Sequence, residues 1–267
     1  MGEAIVITSG KGGVGKTTSS ANIGTALALQ GKKVCLVDTD IGLRNLDVVM
    51  GLENRIIYDL VDVALGKCKL HQALVKDKRF EENLYLLPAA QSSDKTAVTP
   101  EQMKTLVNDL KNEFDYVIID CPAGIEQGFQ NAVAGADRAI VVTTPEVSAV
   151  RDADRIIGLL EKEPIEPPRL VINRIRTNMV KRGDMLDVDE VTNILAVELI
   201  GIVADDEEVI KASNIGEPIA MNPNSKASIA YRNIARRILG ESVPLQQLED
   251  NEKGMFTRLK KFFGARA

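Results

Sequence analysis

The chain is predicted to fold as an α/β protein with a doubly wound, mostly parallel sheet. Short β-branched runs alternate with helical patterns almost from end to end, which favours parallel strands joined by helices. Several of these runs are continuously apolar, as expected for strands that helices cover on both faces. The 267 residues, 45% of them apolar, suffice for one large domain with a buried core.

Seven segments are predicted to be strands, and they are residues 4–9, 33–38, 83–89, 116–120, 139–145, 169–173 and 199–204. Parallel strands are joined by right-handed crossovers, and ligands bind at the carboxyl ends of such strands. Residues at those ends are therefore the first candidates for a functional site.

Helix signals fall between the strands. In residues 99–114, Thr99 is placed as the N-cap, Pro100 as the first helical residue and Gln102 as the partner in a capping box. A second helix is predicted over residues 148–163, where the next residue is a proline.

The composition counts against several classes of protein. A net charge of −5 argues against a surface that binds nucleic acid throughout. Three widely spaced cysteines and a single histidine argue against a disulfide scaffold and a zinc site, and they fit a reducing cytosol. The first residues lack the basic region of a secretory signal, and no apolar run approaches the ~20 residues of a membrane span.

Residues 10–17 match the phosphate-binding pattern G-x-x-x-x-G-K-[ST] between a strand and a helix that is expected to end at Gly31. The glycines let backbone N–H groups curl around phosphate oxygens, and the helix N-terminus adds partial positive charge. Lys16 would reach the β- and γ-phosphates, and the Thr17 hydroxyl would ligate Mg²⁺. The alternative is a glycine-rich turn without a ligand. The predicted nucleotide-binding residues of this loop are Gly10, Lys11, Gly12, Gly13, Val14, Gly15, Lys16, Thr17 and Thr18.

Acidic residues end two of the predicted strands. Asp120 ends one strand, and Asp38 and Asp40 follow another. Taken alone, an aspartate at a strand end can equally be a solvated cap. Beside a phosphate-binding loop, one carboxylate can hold Mg²⁺ through its water shell and another can orient the attacking water. The predicted metal-binding residues are Thr17, Asp38 and Asp120.

Lys11, in "KGGVGKTT", is the additional lysine of the deviant Walker A motif. Together with "LVDTDIGLRNLD" (36–47) and "DYVIIDCPAG" (115–124), this motif closely resembles the MinD division-site ATPases of a Bacillus-like type. The lysine motif alone would indicate only the wider MinD/ParA class, but the resemblance continues into the C-terminal tail. It implies a P-loop NTPase fold of the MinD/ParA (SIMIBI) type with ATP and Mg²⁺ as cofactors.

The resemblance also implies roles for single residues. Lys11 would cross an ATP-sandwich dimer to the partner's phosphates, although a lysine there can also serve its own phosphates. Asp40 would position the hydrolytic water, Asp120 would belong to the second switch segment, and Asn173 would lie on the adenine ring instead of capping its strand. Because residues 203–208 read "VADDEE", where relatives often have a Pro-Glu-Asp-like run, no base contact is assigned there. The predicted catalytic residues are Lys11, Lys16 and Asp40.

The C-terminal tail is predicted to be an amphipathic helix over residues 253–267, joined by a flexible linker (244–252) to an ATPase domain (1–243). On a helix, its large apolar side chains share an arc of roughly 120°, opposite two lysines. The tail carries five cations and no acid, so residues 1–252 carry a net charge of −10. Packing of this stripe on the core and recognition by a calmodulin-like protein are the alternatives to membrane binding. The predicted membrane-contacting residues are Met255, Phe256, Leu259, Lys260, Lys261, Phe262 and Phe263.

The tail suggests how nucleotide would control membrane binding. One short anchor of this kind binds anionic lipid weakly and reversibly, whereas two anchors on one dimer raise avidity by roughly 10²–10⁴. ATP would thus convert weak affinity into firm binding at the inner face of the cell membrane, and hydrolysis would reverse it. The resemblance implies that the dimer recruits MinC, the inhibitor of FtsZ assembly, and so keeps division at mid-cell. A MinE-like regulator or a polar scaffold stays open.

Two further functions are compatible with the phosphate-binding loop. A ParA-like DNA-partitioning ATPase would need a basic patch on the body, which is acidic, so no nucleic acid is expected as a partner. An iron–sulfur protein of similar fold would need cluster cysteines, and Cys121 has no evident partner in the sequence.

Overall fold

The computed structural model describes residues 1–94 and 96–246. The predicted membrane-targeting helix over residues 253–267, with all seven of its predicted membrane contacts, lies outside the described residues. Most of the predicted linker lies outside them as well.

Eight strands form one sheet, and seven of them are the predicted ones. Their bounds are Glu3–Thr8 (β1), Val34–Asp38 (β2), Val75–Lys76 (β3), Leu84–Leu87 (β4), Tyr116–Asp120 (β5), Arg138–Thr143 (β6), Arg169–Ile175 (β7) and Glu198–Ala204 (β8). The additional strand, β3, has two residues, too few for an alternating pattern to reveal it from sequence.

The order of the strands across the sheet is β3-β4-β2-β5-β1-β6-β7-β8. Every neighbouring pair is parallel except β3 and β4, which are antiparallel. From the central strand β1 the chain moves first to β2 on one side and later to β6 on the other. The predicted doubly wound sheet is therefore confirmed, and its order reverses at the central strands, where such sheets bind ligands.

The described residues contain eleven α-helices, nine between strands and two after β8. Their bounds are Lys16–Leu29 (α1), Leu46–Met50 (α2), Leu60–Ala64 (α3), Leu70–Ala73 (α4), Pro100–Glu113 (α5), Gln127–Val133 (α6), Val147–Leu160 (α7), Thr177–Arg182 (α8), Val188–Leu195 (α9), Glu207–Asn214 (α10) and Lys226–Ile238 (α11). Short 3₁₀ turns cover Glu53–Arg55, Lys78–Phe80 and Ile219–Met221.

The sequence signals locate the ends of α1 and α5 but not the end of α7. The Thr99 hydroxyl accepts the N–H of Gln102 at 3.3 Å, and the Gln102 side chain accepts the N–H of Thr99 at 2.9 Å, which confirms the capping box of α5. Gly31 follows α1 with a φ of +77°, as expected of a glycine just past a helix end. Helix α7 ends at Leu160, three residues before the predicted end.

The core consists of one apolar layer on each face of the sheet. Alternate residues of the central strands face opposite layers, so that Ile5 and Ile7 pack on the side of α1 and α11, while Ala4 and Val6 pack on the side of α5, α6 and α7. All four are at most 1% exposed. Burial of each large aliphatic side chain contributes roughly 1.5–3 kcal/mol, so the sheet is a rigid frame for the loops at its ends.

Within residues 1–94 and 96–246, none of the helices has both the length and the apolar character that a membrane span requires.

A candidate nucleotide site at the carboxyl ends of the central strands

The phosphate-binding loop lies between β1 and α1, at the carboxyl end of the central strand. Gly13 and Gly15 have φ values of +81° and +101°, in the left-handed region that residues with a Cβ disfavour. Gly15 is also the N-cap of α1 and has no side chain to bond the first amides of the helix. The helix N-terminus therefore keeps its N–H groups available for an anion.

Gly10 has a different role in the loop. A Cβ at Gly10 would lie 2.0 Å from the carbonyl oxygen of Asp152 in α7. This glycine lets α7 pack directly on the loop, so the loop and α7 are in contact before any ligand binds.

Lys16 is 8% exposed, although it is charged. Its ammonium donates a hydrogen bond to the hydroxyl of Ser9 at 3.0 Å, and that hydroxyl donates to the carbonyl of Lys11 at 2.8 Å. A buried ammonium is stable only near acceptors or negative charge. Phosphate oxygens would supply that charge.

The two predicted metal-binding carboxylates are neighbours in the sheet. Asp38 and Asp120 are register partners at the ends of β2 and β5, and both are at most 2% exposed. Residues two positions earlier, Leu36 and Ile118, pack in the layer that contains α1, so both carboxylates face α1. There the hydroxyl of Ser20 donates to Asp120 at 2.8 Å.

Burial raises the pKa of both carboxyl groups above the ordinary range, and repulsion from Asp120 adds to the shift of Asp38. For Asp120, hydrogen bonds from Thr17 and Ser20 and the nearby ammonium of Lys16 oppose the shift. Two buried, repelling carboxylates beside a hydroxyl group form a donor set that suits a hard divalent cation such as Mg²⁺. The residues present therefore fit the metal that the sequence predicts.

Asp38 also holds the loop that follows β2. Its two carboxylate oxygens accept the backbone N–H groups of Asp40 at 2.9 Å and of Leu46 at 3.2 Å. Asp40 is half-buried in this loop, and its charge contributes to the raised pKa of Asp120. The predicted catalytic and metal-binding carboxylates are thus brought together at one edge of the sheet.

Lys11 is exposed, and its ammonium donates to the hydroxyl of Ser148 at 2.9 Å. Ser148 lies in the first turn of α7, where the helix dipole disfavours a cation. The contact that holds Lys11 on its own chain is consequently weak.

The end of β7 contributes two contacts to the same loop. The side-chain amide of Asn173 donates to the carbonyl of Val14 at 2.8 Å, and the guanidinium of Arg174 donates to the carbonyl of Gly13 at 3.0 Å. Asn173 was a predicted site residue, whereas Arg174 was not. The only feature of the sequence that could have indicated Arg174 is its position beside Asn173 at the carboxyl end of a strand.

The two aspartates of the segment 203–208 bond within the protein. Asp205 pairs with Arg176 at 2.6 Å, and Asp206 accepts the hydroxyl of Ser225 at 2.9 Å. These contacts tie the loop after β8 to the regions around α8 and α11.

Comparisons with known proteins agree with this geometry. A family model described as an AAA domain matches residues 2–163. The septum site-determining protein MinD of Bacillus subtilis is 76% identical over 268 residues, covering 100% of both chains. MinD of Escherichia coli K12 is 48% identical over 274 residues, covering 99% of this chain and 100% of the relative.

Two solved structures are similar as well. The MinC:MinD cell division protein complex of Aquifex aeolicus has a TM-score of 0.86 and 51% identity, covering 92% of this chain and 100% of that chain. MinD of Pyrococcus horikoshii, complexed with Mg-ADP, has a TM-score of 0.82 and 29% identity, covering 91% and 100%. Since motifs, fold and full-length identity agree, the chain belongs to the MinD family of P-loop ATPases.

Proposed function

We propose that this chain is an ATP-hydrolysing dimerisation switch that binds the membrane in its ATP form and recruits the division inhibitor MinC, which keeps FtsZ ring assembly at mid-cell. The observation that carries the proposal is the burial of Lys16, Asp38 and Asp120 around the amino terminus of α1. This arrangement of opposite charges is suited to a nucleotide triphosphate with its metal.

Binding of ATP would use the loop and Lys16. The N–H groups at the start of α1 would bond the phosphates, and the ammonium of Lys16 would exchange the Ser9 hydroxyl for phosphate oxygen. Thr17, Asp38 and Asp120 would hold Mg²⁺, which would neutralise the phosphate charge. Asn173, which already contacts the loop, is the proposed adenine contact.

Hydrolysis would depend on Asp40. This residue follows Asp38 by two positions, and its N–H bonds the Asp38 carboxylate. A change at Asp38 on nucleotide binding would therefore move Asp40 directly. Its carboxylate is the proposed group that orients the attacking water.

Dimerisation would depend on Lys11. The weak contact to Ser148 at the start of α7 is a small loss compared with an ion pair to a partner's phosphates. The lysine would leave its own chain and cross to the nucleotide of a second copy. Two such crossings would place two C-terminal tails on one assembly.

The start of the predicted linker lies at the sheet edge that β8 forms. The guanidinium of Arg237 donates to the carbonyls of Ile200 at 2.8 Å, Val243 at 3.0 Å and Pro244 at 2.6 Å. Strand β8 lies three strands from β1, which carries the phosphate-binding loop. Because the start of the linker lies apart from the nucleotide site, this position favours control of the tail through dimerisation over control through direct contact with the nucleotide.

We further propose a division into an ATPase domain (1–243), a linker (244–252) and an amphipathic helix (253–267), with the protein in the cytoplasm and peripheral on the inner face of the cell membrane. The MinC:MinD complex of Aquifex aeolicus supports MinC as a partner. The proposed MinC surface lies near the second switch segment and α7, which exposes Arg151 and Arg155.

Sedimentation with vesicles tests the switch. Full-length protein and protein truncated before Lys253 would be mixed with phosphatidylglycerol-containing vesicles, with ATP or with ADP. Only the full-length protein with ATP should pellet, because only that species has two anchors on one dimer. Equal pelleting with both nucleotides would contradict the switch, and pelleting with DNA instead of lipid would favour the partitioning function.

The variant Phe262→Asp tests the anchor itself. A carboxylate on the apolar face should abolish vesicle binding in ATP while nucleotide binding stays unchanged, because the proposed nucleotide-binding residues all belong to the ATPase domain. Thr257→Asp, on the polar face, is the matched control and should bind more strongly than Phe262→Asp. Undiminished vesicle binding by Phe262→Asp would refute the membrane role of this face.

A further inference from the structure

Two consecutive residues at the end of β7 bond two consecutive carbonyls of the phosphate-binding loop. Asn173 donates to Val14 at 2.8 Å, and Arg174 donates to Gly13 at 3.0 Å. Regular strands send consecutive side chains to opposite faces of the sheet. Because both side chains reach the same loop, the strand must depart locally from regular geometry at this point.

The backbone of Arg174 accounts for this departure. Its φ is +56°, a left-handed conformation that is unfavourable for a residue with a Cβ. The pairing of β7 with β8 shifts register between Ile172 and Ile175 at the same place. Strained residues of this kind persist where the surrounding structure requires them, and they cluster at functional sites.

The planar peptide bond gives these contacts a consequence. The carbonyl of Gly13 and the N–H of Val14 belong to one trans peptide unit and point in opposite directions. The same holds for the carbonyl of Val14 and the N–H of Gly15. When Arg174 and Asn173 hold the two carbonyls, they also set the directions of two N–H groups in the loop.

The part of the loop just before the buried Val14 needs such support because its own packing is sparse. Gly12 and Gly13 are exposed, and a Cβ at Gly13 would meet no atom within 4 Å. Glycine peptides without neighbours can rotate freely, and ordering them on ligand binding is unfavourable in entropy. Contacts that hold the peptide planes in advance lower this loss.

We propose that Arg174 is a positioning residue of the phosphate-binding loop, which together with Asn173 orients the N–H groups of Val14 and Gly15 for the nucleotide phosphates. The inference deepens the proposed function and rests only on its nucleotide-binding part, not on dimerisation or membrane binding. Arg174 acts through the loop in this role. Its guanidinium bonds the carbonyl of Gly13, which points away from the N–H group of Val14.

Competition binding on the full-length protein tests this role with two probes, ADP with Mg²⁺ and inorganic tripolyphosphate. Tripolyphosphate has no base and no ribose, so its affinity reports the phosphate cradle alone. ADP is chosen because its binding does not require a dimer. A failure of the membrane switch would therefore leave this result interpretable.

Two variants separate the side-chain contact from the backbone strain. Arg174→Met removes the donors and keeps the strain, whereas Arg174→Gly removes the donors and relieves the strain. Both should weaken ADP and tripolyphosphate to the same degree, about three- to tenfold, which is the usual effect of one lost hydrogen bond. Arg182→Met, at an exposed arginine that pairs with Asp184, controls for the loss of one surface charge and should change neither affinity.

Hydrogen–deuterium exchange of the nucleotide-free protein gives a second readout, which does not depend on ligand affinity. The amides of residues 13–15 should exchange faster in Arg174→Met than in the unaltered protein. A loss of ADP affinity with unchanged tripolyphosphate affinity would overturn the proposal in favour of a contact to base or ribose. Unchanged affinities for both probes, or unchanged exchange, would also overturn it.

Discussion

Charged groups at the amino ends of the strands and charged groups at the carboxyl ends have different kinds of partner. At the amino ends, charged groups are paired: Lys111 contacts Asp137 at 2.6 Å, and Arg138 lies between Glu3 and Glu166, the latter at 2.8 Å. These pairs are partly exposed, and each charged group has its counter-charge on the same chain. Each such pair adds little stability, but its charged groups do not need a ligand as a partner.

At the carboxyl ends, three charged groups are almost fully buried, and each forms hydrogen bonds to neutral groups instead. The ammonium of Lys16 bonds a neutral hydroxyl and attracts only one of the two carboxylates, Asp120, while Asp38 and Asp120 repel each other as register partners. Buried charge without a counter-charge destabilises a protein. The difference indicates that the carboxyl-end charges are arranged for a ligand that supplies the missing phosphate and metal charges, whereas the amino-end charges serve stability.

The largest expected effect is the loss of nucleotide binding in Lys16→Ala. The buried ammonium is the proposed partner of the phosphates, so affinity should fall by on the order of a hundredfold or more. Vesicle binding in ATP should disappear with it. Isothermal titration with ATP measures the first effect and sedimentation the second, and retained ATP-dependent vesicle binding would count against the switch.

Asp40→Ala should separate binding from hydrolysis. Affinity for ATP should stay within a few fold, whereas the hydrolysis rate should drop by about 10²-fold or more, because the water-orienting group is lost. The variant should therefore accumulate as a dimer in ATP. Phosphate release and size-exclusion chromatography measure the two effects, and a normal hydrolysis rate would remove Asp40 from its proposed role.

Asp120→Asn should stabilise the nucleotide-free protein while it disables the site. Removal of one of two repelling buried carboxylates is expected to raise the free energy of unfolding by about 1–2 kcal/mol at pH 7.5 in EDTA. The amide oxygen can still accept the Ser20 hydroxyl. Urea denaturation measures the change. A destabilised variant would contradict the view that repulsion between the two buried carboxylates lowers the stability of the nucleotide-free protein.

The same carboxyl groups predict the sign of the pH dependence. Because burial raises the folded-state pKa of Asp38 and Asp120 above that of an exposed aspartate, folding is penalised where both are ionised. Their contribution to stability is therefore fully present below the unfolded pKa and is lost as pH rises through the raised values. Asp120→Asn should flatten this dependence relative to the unaltered protein in EDTA.

The smallest expected effect lies at the amino ends. Lys111→Met keeps the apolar stem and removes one ion pair to Asp137, which still accepts the N–H of Ala4 at 2.8 Å. The free energy of unfolding should fall by about 1 kcal/mol or less, and ATP affinity should not change. A change in ATP affinity greater than twofold would break the division of roles between the two ends.

Much of the fold could be predicted because its signals are local. The capping box at Thr99 and Gln102 spans four residues, and the long apolar strands identify themselves by composition. Strand β3 escaped prediction because two residues carry no pattern, and only pairing with β4 defines it. Likewise, α7 stops at Leu160 before the proline signal because it closes with tight turns.

By itself the sequence determined the phosphate-binding loop, the acids at the strand ends, the α/β order and the family, since each depends on residues close together in the chain. The tertiary structure alone decided that Asp38 lies beside Asp120, that α7 packs on Gly10, and that Arg174 bonds the loop 161 residues before it. Contacts over such separations depend on the order of strands and the packing of helices on the sheet. No short stretch of sequence encodes that order, because it results from burying all the apolar faces at once.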